Sequence, residues 1–298
     1  MVSVLMQKKK NKMSAEIVAI FSAMGWAGDS VLVRLGLRQS NIFAAMLVSY
    51  VVSVTCIWTY LLVTTPLDFL RSPAMVYFLV SGCLQPLFAR ALYYEALIRM
   101  GVSRAGPLRG AEPLFAVAIA VTVLHEQPTV PVYVGTLLIV GSVWAISSGH
   151  GGTANWRFID IFLPLSAGLV SAISQSLRKQ GLNILPDPFV AAATVTSVTL
   201  TLLVIFLLVT KRTEQLRMKR ESFLFFLCAS LVALSAQLTN FIALSRSDVS
   251  VIIPLLNTTP LFAVLFSALF LRSMETITTR TILGAILMVA GVMIITRR

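Results

Sequence analysis

Residues 92–117 read LYYEALIRMGVSRAGPLRGAEPLFAV, and residues 239–264 read TNFIALSRSDVSVIIPLLNTTPLFAV. Placed one on the other at an offset of 147, twelve of the 26 positions are identical, and the run PLFAV is whole in both copies. The matches include Arg99 with Arg246, Ser103 with Ser250, Pro107 with Pro254 and Pro113 with Pro260. Beyond this stretch the offset becomes 149, and Glu126, Thr129 and Gly135 fall on Glu275, Thr278 and Gly284. Apolar composition produces chance matches of Leu and Val. It does not readily place Pro, Arg, Ser, Glu and Gly in register. The chain is therefore read as a tandem duplication, with halves at 14–148 and 157–296 and a Gly-rich seam at 149–152.

Working outward, apolar stretches of spanning length occur at about 14–36, 42–64, 73–98, 103–124, 128–148, 157–178, 187–209, 221–244, 249–271 and 277–296. A membrane-spanning helix needs roughly 20 apolar residues. The chain is 57% hydrophobic and only 12% charged, with a mean hydropathy of +0.87, which leaves room for ten such spans and little else. The expected fold is an all-α polytopic membrane protein of ten transmembrane helices, arranged as two inverted five-helix repeats. Five is an odd number, so the second copy must enter the bilayer with opposite polarity. Inverted repeats are typical of secondary transporters, whose site lies at the repeat interface.

The net charge of +12 does not imply a nucleic-acid partner. The basic residues sit in small groups between apolar runs, as at 8–12 and 211–220, which is how Lys and Arg flank membrane spans. The three cysteines, Cys56, Cys83 and Cys228, lie inside apolar runs and form neither a disulfide framework nor a metal-site spacing. The run after Lys12 reads as a first transmembrane helix, because no small-residue cleavage site ends it.

These motifs resemble the EamA type of the drug/metabolite transporter superfamily over nearly the whole chain. The most specific element is Pro on the fourth helix, then an apolar run, then Glu, Thr and Gly: Pro113, Glu126, Thr129 and Gly135, and again Pro260, Glu275, Thr278 and Gly284. Trp26-Ala27-Gly28 with Arg34 approximates the family's first-helix motif. The resemblance implies ten helices, cytoplasmic termini, a cell (inner) membrane and carriage of amino acids, related metabolites, sugars or drugs. Orientation from charge alone is divided: with the N-terminus inside, ten Lys and Arg face the cytoplasm and twelve the other side.

Ionisable groups inside a span are costly and mark function by default. The first half carries Asp29, Arg34, Arg90, Glu95, Arg109 and Glu112 within its spans. Arg109 and Glu112 are spaced to pair on one helix face. Arg90 and Tyr93 also share a face. The repeat sets Arg90 on Gln237, Tyr93 on Asn240 and Glu112 on Thr259, and a looser match of the first and sixth spans sets Asp29 on Ser174. The expected substrate-lining set is Trp26, Asp29, Arg90, Tyr93, Arg109, Glu112, Ser174, Gln237, Asn240, Asn257 and Thr259. Helix–helix hydrogen bonding is the competing reading for Gln237, Asn240 and Asn257.

Pro107, Pro113, Pro254 and Pro260 lie within the fourth span of each half. Each frees the carbonyl four residues back, namely that of Ser103, Arg109, Ser250 or Leu256. They are expected to kink or gate these spans. Glu126 and Glu275 read as caps on the helix that follows each of them.

The function expected is secondary transport of a small polar organic solute, by export or exchange. Two arginines favour an anionic or zwitterionic substrate, and Asp29 or Glu112 would couple to protons if either titrates. The alternatives are an organic-cation efflux carrier, a channel or a membrane-embedded enzyme. His125 and His150 lie near no carboxylate cluster, and no ATP-binding Gly-rich loop is present. No catalytic residue, metal or cofactor is expected.

Overall fold

The computed structural model describes residues 2–100, 105, 108–147, 157–211, 216, 218–270 and 279–297. Among these every regular element is helical. In chain order they are α1 (Val2–Gly36), α2 (Ile42–Thr64), α3 (Ala74–Cys83), α4 (Ala89–Met100), α5 (Glu112–Thr122), α6 (Val130–Ser147), α7 (Phe162–Ile184), α8 (Pro188–Val209), α9 (Arg220–Arg246), α10 (Val249–Leu256), α11 (Thr259–Phe270) and α12 (Thr279–Thr296). By length and composition, six segments among the described residues reach spanning length: 15–39, 42–64, 158–184, 188–209, 220–246 and 249–266. Four apolar helices are shorter: Ala74–Cys83, Glu112–Thr122, Val130–Ala145 and Ile282–Thr296.

Two boundaries differ from the sequence expectation. Helix α1 begins at Val2 rather than near 14, so the Lys8–Lys12 group is helical. Helix α7 continues to Ile184, six residues past the expected end at 178. Arg178 and Lys179 look like a basic flank in the sequence, but both find partners inside the protein.

The third span is broken. Between α3 and α4, residues Leu84–Phe88 form a wide turn in which Gln85 has φ −133° and ψ 134°. Pro86 follows, and proline pushes the residue before it into extended geometry. The fourth span of each half is also interrupted, by turns at Gly110–Ala111 and at Asn257–Thr258. Pro113 stands in the first turn of α5, where its missing N–H costs nothing. Pro260 likewise follows Thr259 at the start of α11, whereas Pro254 lies inside α10. The carbonyl of Leu256, which Pro260 frees, accepts from the Thr259 hydroxyl at 2.7 Å. Pro107 and Ser103 lie outside the described residues.

Small residues set how closely the halves approach. On α1, Ala15, Ala19, Ala23 and Ala27 recur every four residues, all fully buried. Helix α1 packs against α9, where a Cβ on Gly25 would lie 2.7 Å from that of Ala236 and Ser22 donates to the Ala236 carbonyl at 2.7 Å. Small side chains let helix backbones come close without a hydrophobic driving force between them. A Cβ on Gly36 would lie 2.4 Å from the ring of Phe226, and a Cβ on Gly181 would lie 2.4 Å from the ring of Phe78. Gly135 of α6 and Gly291 of α12 meet in the same way, each with its virtual Cβ under 3 Å from the other's carbonyl oxygen. Outward faces carry Leu62, Val63, Leu137, Trp144, Leu208 and Val209, all strongly exposed, as a lipid-facing surface requires.

Gly181→Ala is expected to lower stability by about 1–3 kcal/mol, the usual cost of overpacking a filled site. Thermal unfolding of the purified protein in detergent measures this. Phe78→Leu in the same chain should recover part of the loss by vacating the ring position.

Candidate substrate site

Helix α7 carries Ser171, Ser174, Gln175 and Arg178, spaced three, one and three residues apart and so on one helix face. This face is turned to α3, α4 and α5 of the other half, and all four residues are buried. At its upper end, Arg109 donates from Nη1 to Glu112 Oε2 at 2.6 Å and from Nη2 to Ser171 Oγ at 2.9 Å. The Gln85 amide, carried there by the break before Pro86, reaches the same hydroxyl at 2.6 Å. One turn on, Ser174 Oγ lies 2.9 Å from Ser81 Oγ and donates to the Ser81 carbonyl at 3.1 Å. At the lower end, Arg178 donates from Nε to Ser81 Oγ at 2.9 Å and from Nη1 to Gln175 Oε1 at 3.3 Å, with its guanidinium 5.3 Å from the centre of the Phe241 ring. At 1.5 Å per residue this polar line runs about 10 Å along α7.

The expected residues divide into groups. Arg109, Glu112 and Ser174 belong to this line. Asp29 on α1 and Arg90 on α4 lie within each other's electrostatic reach without a direct salt bridge among the described residues. Trp26, Tyr93 and Gln237 are partly buried. Asn240 is buried, and its Oδ1 has no hydrogen-bond partner among the described residues. Asn257 donates its amide to the Ile253 carbonyl at 3.0 Å, and Thr259 serves Leu256 as described, so both bond within their own span. Gln85, Ser81, Ser171, Gln175 and Arg178 were not expected. Their signal is present in the sequence, as a polar stripe at helical spacing in 171–178 and as Gln-Pro inside the apolar third span.

Both ends of this region are tied by charge. At one end, Arg99 bridges Glu95 at 2.7 Å and Asp160 at 3.2 Å, joining α4 to the start of α7. At the other, Lys179 donates to the carbonyls of Leu244 and Ser247 at 2.8 and 2.9 Å.

Beside Lys179 the structure corrects the expectation for Glu126. Its carboxylate does not cap α6, the next helix. His125 takes a left-handed φ of 54°, and the Glu126 N–H returns to the Ala120 carbonyl at 2.9 Å. The turn sends the carboxylate into the other half. There it accepts from Val249 N at 2.9 Å, Ser250 N at 3.0 Å and Ser250 Oγ at 2.7 Å, capping α10. Only a folded chain brings these residues together. Glu275, its sequence mate, lies outside the described residues.

A buried, charged line between two homologous halves of a helical membrane protein is the arrangement that transporters place at their repeat interface. The chain is a member of the EamA-like transporter family, whose model matches residues 13–148 and 158–297. It is thus an integral multi-pass membrane protein of the drug/metabolite transporter superfamily. A search of curated proteins gave no match. Among solved structures it is similar to one described only as the crystal structure of a protein, with a TM-score of 0.78, 14% sequence identity, 94% of this chain covered and 96% of that one. At that identity the likeness speaks for the fold alone.

Proposed function

We propose that this protein is a secondary carrier that moves a small polar organic solute, an amino acid or related metabolite, by alternating access. The solute is held between two five-helix halves that cross the membrane ten times in all. A pseudo-two-fold axis in the membrane plane relates the halves, the termini are cytoplasmic, and the membrane is the cell membrane. The observation that carries this reading is the Arg109–Glu112–Ser171–Gln85 network, built from both halves inside the helical bundle.

Exchange symmetry in the packing supports the two-fold relation. Gly36 against Phe226 is matched by Gly181 against Phe78. These pairs lie at the offsets, near 145 and 148, that relate the halves. Helix α1 packs on α9 as α7 packs on α3, while α2 packs on α8 and α6 on α12. Broken helices at the third and fourth spans fit a carrier, because irregular backbone at membrane depth is tolerated where it lines a cavity or is covered by protein.

The test is counterflow in vesicles containing the purified protein. Preloaded solute should drive transient uptake of the same labelled solute, with saturation. Flux that does not saturate and shows no counterflow would point to a channel and end the carrier reading. Asp29 lies within electrostatic reach of Arg90 with no salt bridge to it among the described residues, and we assign proton coupling to Asp29. Asp29→Asn is expected to keep counterflow while losing accumulation driven by a pH gradient; accumulation at wild-type level would remove the proton role.

A further inference from the structure

We propose that Arg178 is the residue that binds the substrate's anionic group, a carboxylate, at the lower end of the polar line; this rests on the carrier reading. The argument is one of charge balance. Arg109 holds Glu112 at 2.6 Å, and Arg90 has Asp29 within electrostatic reach. Arg178 is 4% exposed, yet among the described residues no carboxylate lies within salt-bridge distance of it. The field of Glu112 reaches it, but that carboxylate is already engaged by Arg109.

Hydrogen bonding gives the same answer. A guanidinium has five N–H donors. Arg178 uses one on Ser81 and one on Gln175, and Phe241 covers it as an aromatic ring. The remaining donors have no partner among the described residues. A buried charge without a counter-ion is strongly unfavourable, so the arrangement is complete only when an anion arrives. Two buried acceptors, Gln85 Oε1 and Asn240 Oδ1, also have no hydrogen-bond partner among the described residues. The unused donors on Arg178 suit a solute that bears a carboxylate.

Position adds a third strand. Lys179 seals the carbonyls of Leu244 and Ser247 immediately beyond Arg178. Arg178 is therefore the last member of the polar line before this tie.

The full chain, purified in detergent and in vesicles, is tested with succinate, alanine and the neutral isostere succinamide. Succinate or alanine is expected to raise the unfolding temperature and to compete in counterflow, and succinamide to do neither. Arg178→Gln should weaken the acid's apparent affinity by about tenfold or more, the scale of a lost charge-assisted bond, and Arg178→Lys should recover part of it. Because Arg178→Gln is buried and risks misfolding, Ser81→Ala provides a milder variant. It removes the hydroxyl that orients Nε and should weaken the acid about threefold, under one such bond. Wild-type affinity for the acid in a folded Arg178→Gln protein overturns the assignment. So does a wild-type protein stabilised by no carboxylate. Counterflow confined to succinamide or to organic cations leaves the carrier intact and removes only the anion site, whereas absence of any counterflow strikes the carrier reading itself.

Discussion

Glu126→Ala is expected to destabilise the protein by about 3 kcal/mol, more than most single substitutions outside a core. The carboxylate accepts three hydrogen bonds from Val249 and Ser250, two of them from backbone N–H groups at the start of α10. Val249 and Ser250 are 0% and 1% exposed, so water does not replace the lost acceptor. Bonds to a charged group contribute about 1.5–3 kcal/mol each, and leaving buried donors unpaired adds a penalty. The three share one carboxylate and do not sum. Ser250→Ala removes one of the three and is expected to cost about 1 kcal/mol. Thermal unfolding in detergent ranks the two variants. Equal, small effects would mean that the cap holds nothing. Since this bond set ties the two halves at one end, Glu126→Ala should also raise cysteine labelling of a probe placed at Ser247. Unchanged labelling would separate stability from closure.

Glu112→Ala should cost about 3 kcal/mol or more, for a different reason. It leaves the Arg109 guanidinium, whose side chain is 21% exposed, with Ser171 as its remaining side-chain partner among the described residues. Breaking a buried pair on one side strands a charge, while replacing both partners with apolar groups is often tolerated. The double variant Arg109→Met with Glu112→Leu is therefore expected to unfold at a higher temperature than Glu112→Ala. The same double variant should lose transport, because it erases the upper end of the polar line. Were the single change as mild as the double one, the pair would be an exposed contact of little weight.

The polar line on α7 shows how far sequence carries. Arg109 and Glu112 were legible because their partner is three residues away, and helix geometry alone brings them together. Ser174 was legible through the repeat. Arg178 was not, because a basic residue near the end of an apolar run also fits a membrane flank. Its contacts with Ser81 and Phe241 come from α3 and α9, 97 and 63 residues away along the chain. The third-span break was present in the sequence as Gln85-Pro86, but its consequence, an amide delivered to Ser171, required α7 to be in place.

By itself, the sequence determined the helical class, the duplication, the membrane setting and the family. These depend on composition, on periodicity and on residues in register, all of which are local or additive along the chain. The tertiary structure alone decided where single side chains find partners. It sent the Glu126 carboxylate across to α10 instead of to α6, turned Thr259 and Asn257 to bonds within their own span, and buried Arg178 with no salt-bridged acid among the described residues. Each outcome depends on which helices lie side by side and how closely. That is fixed by glycines and alanines such as Gly36, Gly181 and Ala19, whose contribution is the side chain they lack, and a missing side chain names no partner until the backbone opposite it has arrived.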